Sequence, residues 1–380
     1  MIVSVAQGIF GRLPVPRAGI PFALPTHGAG RGPEGVEDVS ALVLALSPGP
    51  EATEMALFRG LEPVRKHAAA HGAELRARRV DQRGLRARAI RSFLEEAGVA
   101  RGRLAAVVGR GGLLRPLEGG TYAICEHLLR DAERTSATGP VDPANLGASL
   151  AHAIAAEWGC PAFVVDPDSV DERETLARVA QPCAIQPPRA HALAMRAAAR
   201  RHARAVRRPI ESMRLAVVHL GSSASICAHR AGRMVEVIAL WGETPLCPRG
   251  CGTMPSTALA DLDDHSATPV PIAQPLTAAT LSDALARAER GDSRASLTLQ
   301  AGAYRIARAV GEIAAVLEGE VDAVLLTGPL AGAGPIVAEV CRRVEWIAPV
   351  FLYREEDDLR ALAEGALRVL LGEEQAKRYA

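Results

Sequence analysis

The stretch ALVLALSPGPEATEMALFRG, residues 41–60, reads as an apolar strand, a tight Gly/Pro turn and a second strand. Two strands around such a turn often present backbone N–H groups to an anion. This turn carries Pro50, which has no N–H, and Glu51, and Glu54 follows where a phosphate would call for a cation. A second stretch of the same kind is LAVVHLGSSASICAHRAGRMVEV, residues 215–237, with two strands around GSS and a third after RAGR. The recurrence suggests a duplicated domain with one phosphate-binding hairpin in each half. Two unrelated hairpins, which are common units, give the same pattern.

Working outward, short β-branched or aliphatic runs recur at ALVLAL (41–46), AAVVG (105–109), AFVVD (162–166), LAVVHL (215–220), AVLLTG (323–328) and PVFLY (349–353). Long Ala/Leu/Arg segments with helical period lie between most of them, so the fold class is α/β with buried sheets. The 380 residues are enough for two domains with separate cores. Residues 1–40 are rich in Gly and Pro without sustained periodicity and read as a disordered N-terminal extension, with no basic region or cleavage site of a signal peptide. The first domain spans 41–190 and takes back the last helix, within 355–380; the second covers 191–354.

With 48% hydrophobic and 23% charged residues the chain is globular, and its net charge of +1 gives no case for nucleic acid or an anionic membrane. The arginine-rich stretches ELRARRVDQRGLRARAIR and MRAAARRHARAVRRP carry Ala and Leu at helical spacing, and read as amphipathic helices with solvated basic faces. Aromatic residues at 3% argue against base stacking. Seven scattered cysteines, without a CxxC, fit a reducing cytoplasm and neither a disulfide framework nor a zinc site. No apolar run approaches the roughly 20 residues of a membrane span.

Two loops stand out. In HLGSSAS one glycine and three serines offer N–H and hydroxyl donors, so Gly221, Ser222 and Ser223 are candidate phosphate contacts. In GRGGLLRPLEGGTY, residues 109–122, Arg110 sits among Gly109, Gly111 and Gly112, with Gly119 and Gly120 beyond. Glycines let a backbone and a ligand approach closely, and an arginine can grip a carboxylate or phosphate in a bidentate fork. The bland reading is a Gly-rich connection with a solvated arginine.

GRGGLLRPLEGGTY, VDPANLGASLAHAIAAEWGCPAFVVDPDSVDE (141–172), HALAMRAAARRHA (191–203) and the 215–237 stretch together resemble butyrate kinases. So do VDAVLLTGPLAGAGPIV (321–337) and VEWIAPVFLYREEDDLRALAEGALRVLLGEEQAKRYA (344–380). The resemblance runs from about residue 41 to the end. It implies two ribonuclease-H-like domains of the actin, hexokinase and sugar kinase superfamily facing across a cleft, and a homodimer. It also implies transfer of phosphate between ATP or ADP and a short-chain carboxylate, with Mg²⁺ and an acyl phosphate product. Arg110 resembles the family's acyl-site arginine, and Asn145 and Asp166 match positions near the cleft, Asp166 orienting Mg²⁺ through water. His219 in VVHLG matches the histidine of the second phosphate hairpin. Gly49, Thr53, Gly221, Ser222, Ser223 and Gly328 fall at nucleotide contacts, and Glu356 at a carboxylate that meets Mg²⁺ through water.

Departures cluster on the nucleotide side. Family members read close to NPGSTSTKIALF where this chain has SPGPEATEMALF, so only Pro48, Gly49 and Thr53 of the turn motif stay and the usual Lys is Glu54. HLGGG has become HLGSS, and TGG has become TGP with Pro329. The usual arginine of the next loop is Gly250, with Arg249 one residue earlier. Two functions follow: an active short-chain fatty acid kinase with an altered nucleotide site, or a catalytically impaired relative that binds a ligand or partner.

Overall fold

The computed structural model describes residues 41–71, 81–137, 143–180, 191–221, 224–241, 278–332, 334–354 and 357–380. The expectations for the 1–40 extension, Ser222, Ser223, Arg249, Gly250 and Glu356 lie outside them. The strands are β1 (Leu42–Pro48), β2 (Ala52–Arg59), β3 (Glu62–Ala70), β4 (Leu104–Arg110), β5 (Thr121–Ala123) and β6 (Ala162–Val165). They continue with β7 (Arg214–Leu220), β8 (Ala224–Arg230), β9 (Arg233–Trp241), β10 (Ala323–Thr327) and β11 (Val350–Tyr353). The helices are α1 (Gln82–Glu96), α2 (Glu126–Ala137), α3 (Asn145–Trp158), α4 (Thr175–Ala180) and α5 (Ala192–Ala205). Beyond them come α6 (Ala278–Glu289), α7 (Ser293–Val316), α8 (Gly334–Val344) and α9 (Asp358–Leu370).

The chain divides into two compact units. One contains residues 41–172, 191–197 and 357–380 of the described chain; the other contains 173–180 and 198–354. The last helix thus lies with the first unit, whereas 173–180 lie with the second and 191–197 with the first. Arg196 explains the return: its guanidinium is bound by Asp166 and Glu172 of the first unit.

Each unit has one mixed sheet, and the two repeat a single topology. In the first the order is β3-β2-β1-β4-β6-β5, in the second β11-β10-β7-β8-β9. In both, an antiparallel meander (β1–β3, β7–β9) is followed by strands parallel to its first member, β4 then β6 in one, β10 then β11 in the other. This repeat turns the two similar hairpins into a duplicated architecture.

Strand β1 is buried on both faces, as a central strand flanked by helices must be. Leu44 and Leu46 face a core with Ile90 and Phe93 of α1 and Leu150 and Ile154 of α3. Val43 and Ala45 face the opposite core, closed by Leu362 and Ala366 of α9. Helix α1 starts where Asp81 accepts from the Gly84 N–H at 3.0 Å, an N-cap bond that satisfies one orphan donor. In the second unit, Val218, Ile226, Val324 and Leu326 pack against Ile306, Val310 and Ile313 of α7 and Val340 of α8. Strand β3 has no buried residue, so its EPVRKHAAA carries no apolar alternation for a sequence reading to find.

The expectation of solvated arginine faces is corrected at two positions. Arg86 of α1 is fully buried and Arg196 of α5 is 8% exposed. Each is buried because acceptors are supplied for it, turn carbonyls in one case and carboxylates in the other.

Candidate active site

Parallel strands deliver their ends to one edge of a sheet, and ligands of open α/β sheets gather at the carboxyl edge. In the first unit β1 ends at Pro48, β4 at Arg110 and β6 at Val165, so the first turn, GRGG and Asp166 share that edge. In the second unit the ends of β7 and β10 bring His219 beside Thr327 in register, with Gly221 and Gly328 just beyond.

Arg110 is partly exposed and held by carboxylates. Its Nη1 donates to Asp358 Oδ2 at 2.6 Å, and its Nη2 lies 3.8 Å from Asp168 Oδ1. Asp358 opens α9 and Asp168 follows β6, so two separate elements aim one guanidinium.

The glycines around Arg110 are explained by close approach. A Cβ on Gly109 would lie 2.2 Å from the Gly147 carbonyl oxygen, and one on Gly147 would lie 2.1 Å from the Arg110 carbonyl oxygen. A Cβ on Gly112 would lie 2.0 Å from Asn145 Oδ1, and one on Gly111 would strike Val164 and Pro167. The start of α3 thus rests directly on the end of β4, and Asn145, buried there, donates its Nδ2 to the Ala132 carbonyl at 3.2 Å. Backbone cannot move aside as a flexible side chain can. Gly147→Ala is therefore expected to destabilise the protein by about 2–4 kcal/mol, combining overpacking with lost Arg110 placement. Thermal unfolding beside the wild-type protein checks this, and an unchanged melting temperature would show that the contact relaxes freely.

Asp166 sits behind this edge, 1% exposed, with φ at +39°. Such a backbone costs a non-glycine residue about 1–3 kcal/mol and persists only where its surroundings impose it. They do so here: the Gly120 N–H donates to Asp166 Oδ1 at 2.7 Å, the Asp166 N–H donates to the Gly120 carbonyl at 3.0 Å, and Arg196 Nε lies 2.9 Å from Oδ1. Arg196 Nη1 also donates to Glu172 Oε2 at 2.8 Å, and Glu172 Oε1 accepts from the Gly119 N–H at 2.9 Å. The Gly119 and Gly120 N–H groups are therefore engaged by protein carboxylates. A Cβ on Gly119 would lie 2.4 Å from Arg196 Cζ, so the guanidinium lies directly against the chain there. The C-terminus closes the same loop: Glu374 accepts from the Thr121 N–H at 2.7 Å, and Lys377 Nζ donates to the Gly119 carbonyl at 2.8 Å.

The first turn joins β1 and β2 in the antiparallel hairpin read from the sequence. The Gly49 N–H donates to the Ala52 carbonyl at 2.8 Å, a closure that needs no N–H from Pro50. Arg86 Nη2 donates to the Gly49 carbonyl at 2.8 Å, and Nη1 to the Ala52 carbonyl at 3.0 Å and to Thr53 Oγ1 at 2.8 Å. Thr53 is fully buried, and His71 Nε2 lies 2.8 Å from its hydroxyl. Glu51 and Glu54 stay exposed.

In the second unit His219 is 3% exposed and faces Ser225 across the β7–β8 ladder. Gly328 has φ at +96°, and a Cβ there would lie 2.4 Å from the Leu220 carbonyl oxygen. Pro329 opens a 3₁₀ turn, Pro329–Gly332, where a missing N–H breaks no internal bond. The change from TGG to TGP thus leaves the fold intact. Near the end of β11, buried His202 lies 2.9 Å by Nδ1 from Tyr353 Oη; burial holds the histidine below its ordinary pKa and pushes the phenol up to about 12.

Sequence reasoning missed Arg86, His71, Asp168, Glu172, Arg196 and Asp358 as parts of these clusters. The two arginines looked like others on helix faces. A signal was available for Arg86 alone: it opens the spacing Arg86, Ala87, Ile90, Phe93, Leu94, which is the buried face of α1.

No family model matches the chain. A relative described as "Probable butyrate kinase" from Coprothermobacter proteolyticus is 40% identical over 354 residues, covering 89% of this chain and 99% of its own. The chain belongs to the butyrate kinase family. Among solved structures, acetate kinase of Porphyromonas gingivalis matches with a TM-score of 0.65 at 16% identity, covering 87% of this chain and 100% of that one. A propionate kinase from Francisella tularensis matches at 0.63 and 16%, covering 86% and 99%. At such identities these matches speak for the fold, which is the acetokinase one expected for a butyrate kinase family member. The repeated sheet topology is that of two ribonuclease-H-like units. No helix among the described residues is long and apolar enough to cross a membrane.

Proposed function

We propose that the protein is a short-chain fatty acid kinase that converts Mg·ATP and butyrate to ADP and butyryl phosphate, and runs the reverse reaction. The observation that carries this reading is Arg110, fixed at the carboxyl edge of the first sheet and already bound there by two carboxylates. A guanidinium so placed is a receptor for a carboxylate or a phosphoryl group.

The acceptor is ionised at neutral pH, so no general base is required. One butyrate oxygen attacks the terminal phosphorus, the bond to the ADP oxygen breaks, and ADP leaves with that electron pair. The protein's task is to bring two anions together and neutralise the moving phosphoryl group. Arg110 supplies charge at the acceptor. His219, at the end of β7, supplies a donor to the transferred phosphoryl group, and Gly221 and Gly328 let the nucleotide approach the backbone. Asp166 acts from behind through Gly120 and Arg196, as its Oδ1 is taken by both. Mg²⁺ enters with the nucleotide as Mg·ATP or Mg·ADP and neutralises its phosphates.

A second reading, a relative that binds a ligand without turnover, draws on Pro50, Glu51 and Glu54 at the first turn. Capture of acyl phosphate as the hydroxamate, with acetate, propionate, butyrate and isobutyrate each supplied with Mg·ATP, separates the two. Product from at least one acid supports the kinase. A folded sample that forms none, yet still binds a short-chain acid, supports the second reading. Pocket discrimination per methylene is only about 1–3 kcal/mol, so several acids should react.

A further inference from the structure

We propose that Arg86 is a positioning residue for phosphoryl binding, a buried cation that backs the first turn and keeps it receptive despite Glu51 and Glu54. The proposal rests on the kinase reading for its ligand and on the geometry of the turn for its residue.

Arg86 is fully buried on α1, and all of its hydrogen-bond acceptors are neutral: two carbonyls of the turn and the Thr53 hydroxyl. No carboxylate among the described residues pairs with it. Its Nε is buried without a hydrogen-bond partner as well. A buried, unpaired guanidinium is costly, and it stays protonated because arginine does not lose its proton in proteins. Burial does lower its pKa from the ordinary value. A neutral amide donor could pin a turn without that cost, so pinning alone does not account for the charge. What the charge adds is a positive field under residues 49–53, undiminished by any carboxylate among the described residues. The low dielectric around it extends that field to the exposed side of the turn. There the usual family cation is Glu54, and Glu51 adds a second negative charge. A cation held from beneath offsets part of this negative charge, and the same three hydrogen bonds fix the turn against Pro50 and the loss of small donors.

The test measures binding as well as turnover. Mg·ADP, inorganic phosphate and tripolyphosphate are titrated by calorimetry and by thermal shift into wild-type protein, Arg86→Lys, Arg86→Met and Glu54→Gln. The Michaelis constants for butyrate and for ATP are measured in parallel. A lysine keeps charge but cannot span three acceptors, whereas methionine removes the charge. Phosphate ligands are expected to bind roughly tenfold more weakly to Arg86→Met and a few-fold more weakly to Arg86→Lys, with the Michaelis constant for butyrate little changed. Glu54→Gln, at an exposed position, is expected to tighten phosphate binding a few-fold. A general packing defect would raise both Michaelis constants together and leave Glu54→Gln neutral. Folded Arg86 variants that bind all three phosphate ligands as the wild type does would overturn the proposal. If neither Arg86 variant folds, Glu54→Gln decides, and unchanged phosphate affinity in it counts against the proposal. Should the wild type bind Mg·ADP with this pattern yet form no acyl phosphate, the kinase reading fails and Arg86 stands.

Discussion

Arg110→Ala is expected to lower kcat/KM for the short-chain acid by roughly 10²–10³, the loss seen when one preorganised charge-stabilising donor is removed from an acyl- or phosphoryl-transfer site. The side chain ends at the carboxyl edge of the first sheet, where the proposed mechanism brings the acceptor carboxylate and the incoming phosphoryl group. Arg110→Lys should recover little, because a point charge cannot reproduce a planar fork shared with Asp358 and Asp168. The effect is separable from folding. Both aspartates keep partial solvent access, at 21% and 18%, so water can reach their charges without Arg110. Steady-state kinetics with both substrates varied, beside a melting curve, checks the prediction. Wild-type kinetics in the alanine variant would remove Arg110 from the acyl site.

The second large effect concerns stability. Arg196→Met is expected to cost about 3–5 kcal/mol, because it removes a guanidinium that two buried carboxylates share. Asp166 and Glu172 have side-chain exposures of 0% and 4%, and Arg196 is their shared partner. The cost corresponds to a fall in melting temperature on the order of 10 °C for a unit of this size. Loss of the pair also frees the left-handed backbone of Asp166 and the Gly119–Gly120 loop that leans on it, so activity should fall even below the melting transition. Arg196→Lys retains one contact at best and should fall between. Calorimetric melting of the three proteins decides. A shift within about 2 °C for Arg196→Met would mean that water reaches the network and that the pair is dispensable.

The fold was legible because its defining features are apolar and local. ALVLAL and LAVVHL are continuous aliphatic runs bounded by turn residues, and both became central strands with helices on their faces. The duplication followed from the likeness of two turns, and the shared strand order supplies what pattern alone left open. Strand β3 was illegible because an exposed edge strand needs no buried face. Within the candidate site, Arg110 announced itself by its glycines, yet the reason for those glycines was not visible in sequence. Gly109 and Gly112 answer to Gly147 and Asn145, residues over thirty positions away whose backbone touches them. The same holds for Arg86 and Arg196. Each is one arginine among several on a helix, and only the fold shows which of them turns inward and what it meets. At the first turn the sequence shows Glu51 and Glu54 but not that Arg86, over thirty residues later, lies behind it.

The kinase function is tested most sharply by ATP formation from butyryl phosphate and Mg·ADP with the purified wild-type protein, followed by luminescence. The high transfer potential of an acyl phosphate favours this direction, so a slow enzyme is still seen. ATP is expected to accumulate in proportion to acyl phosphate consumed, with no signal when either substrate is omitted. A folded protein that binds butyrate and Mg·ADP yet yields no ATP above the uncatalysed background would contradict it.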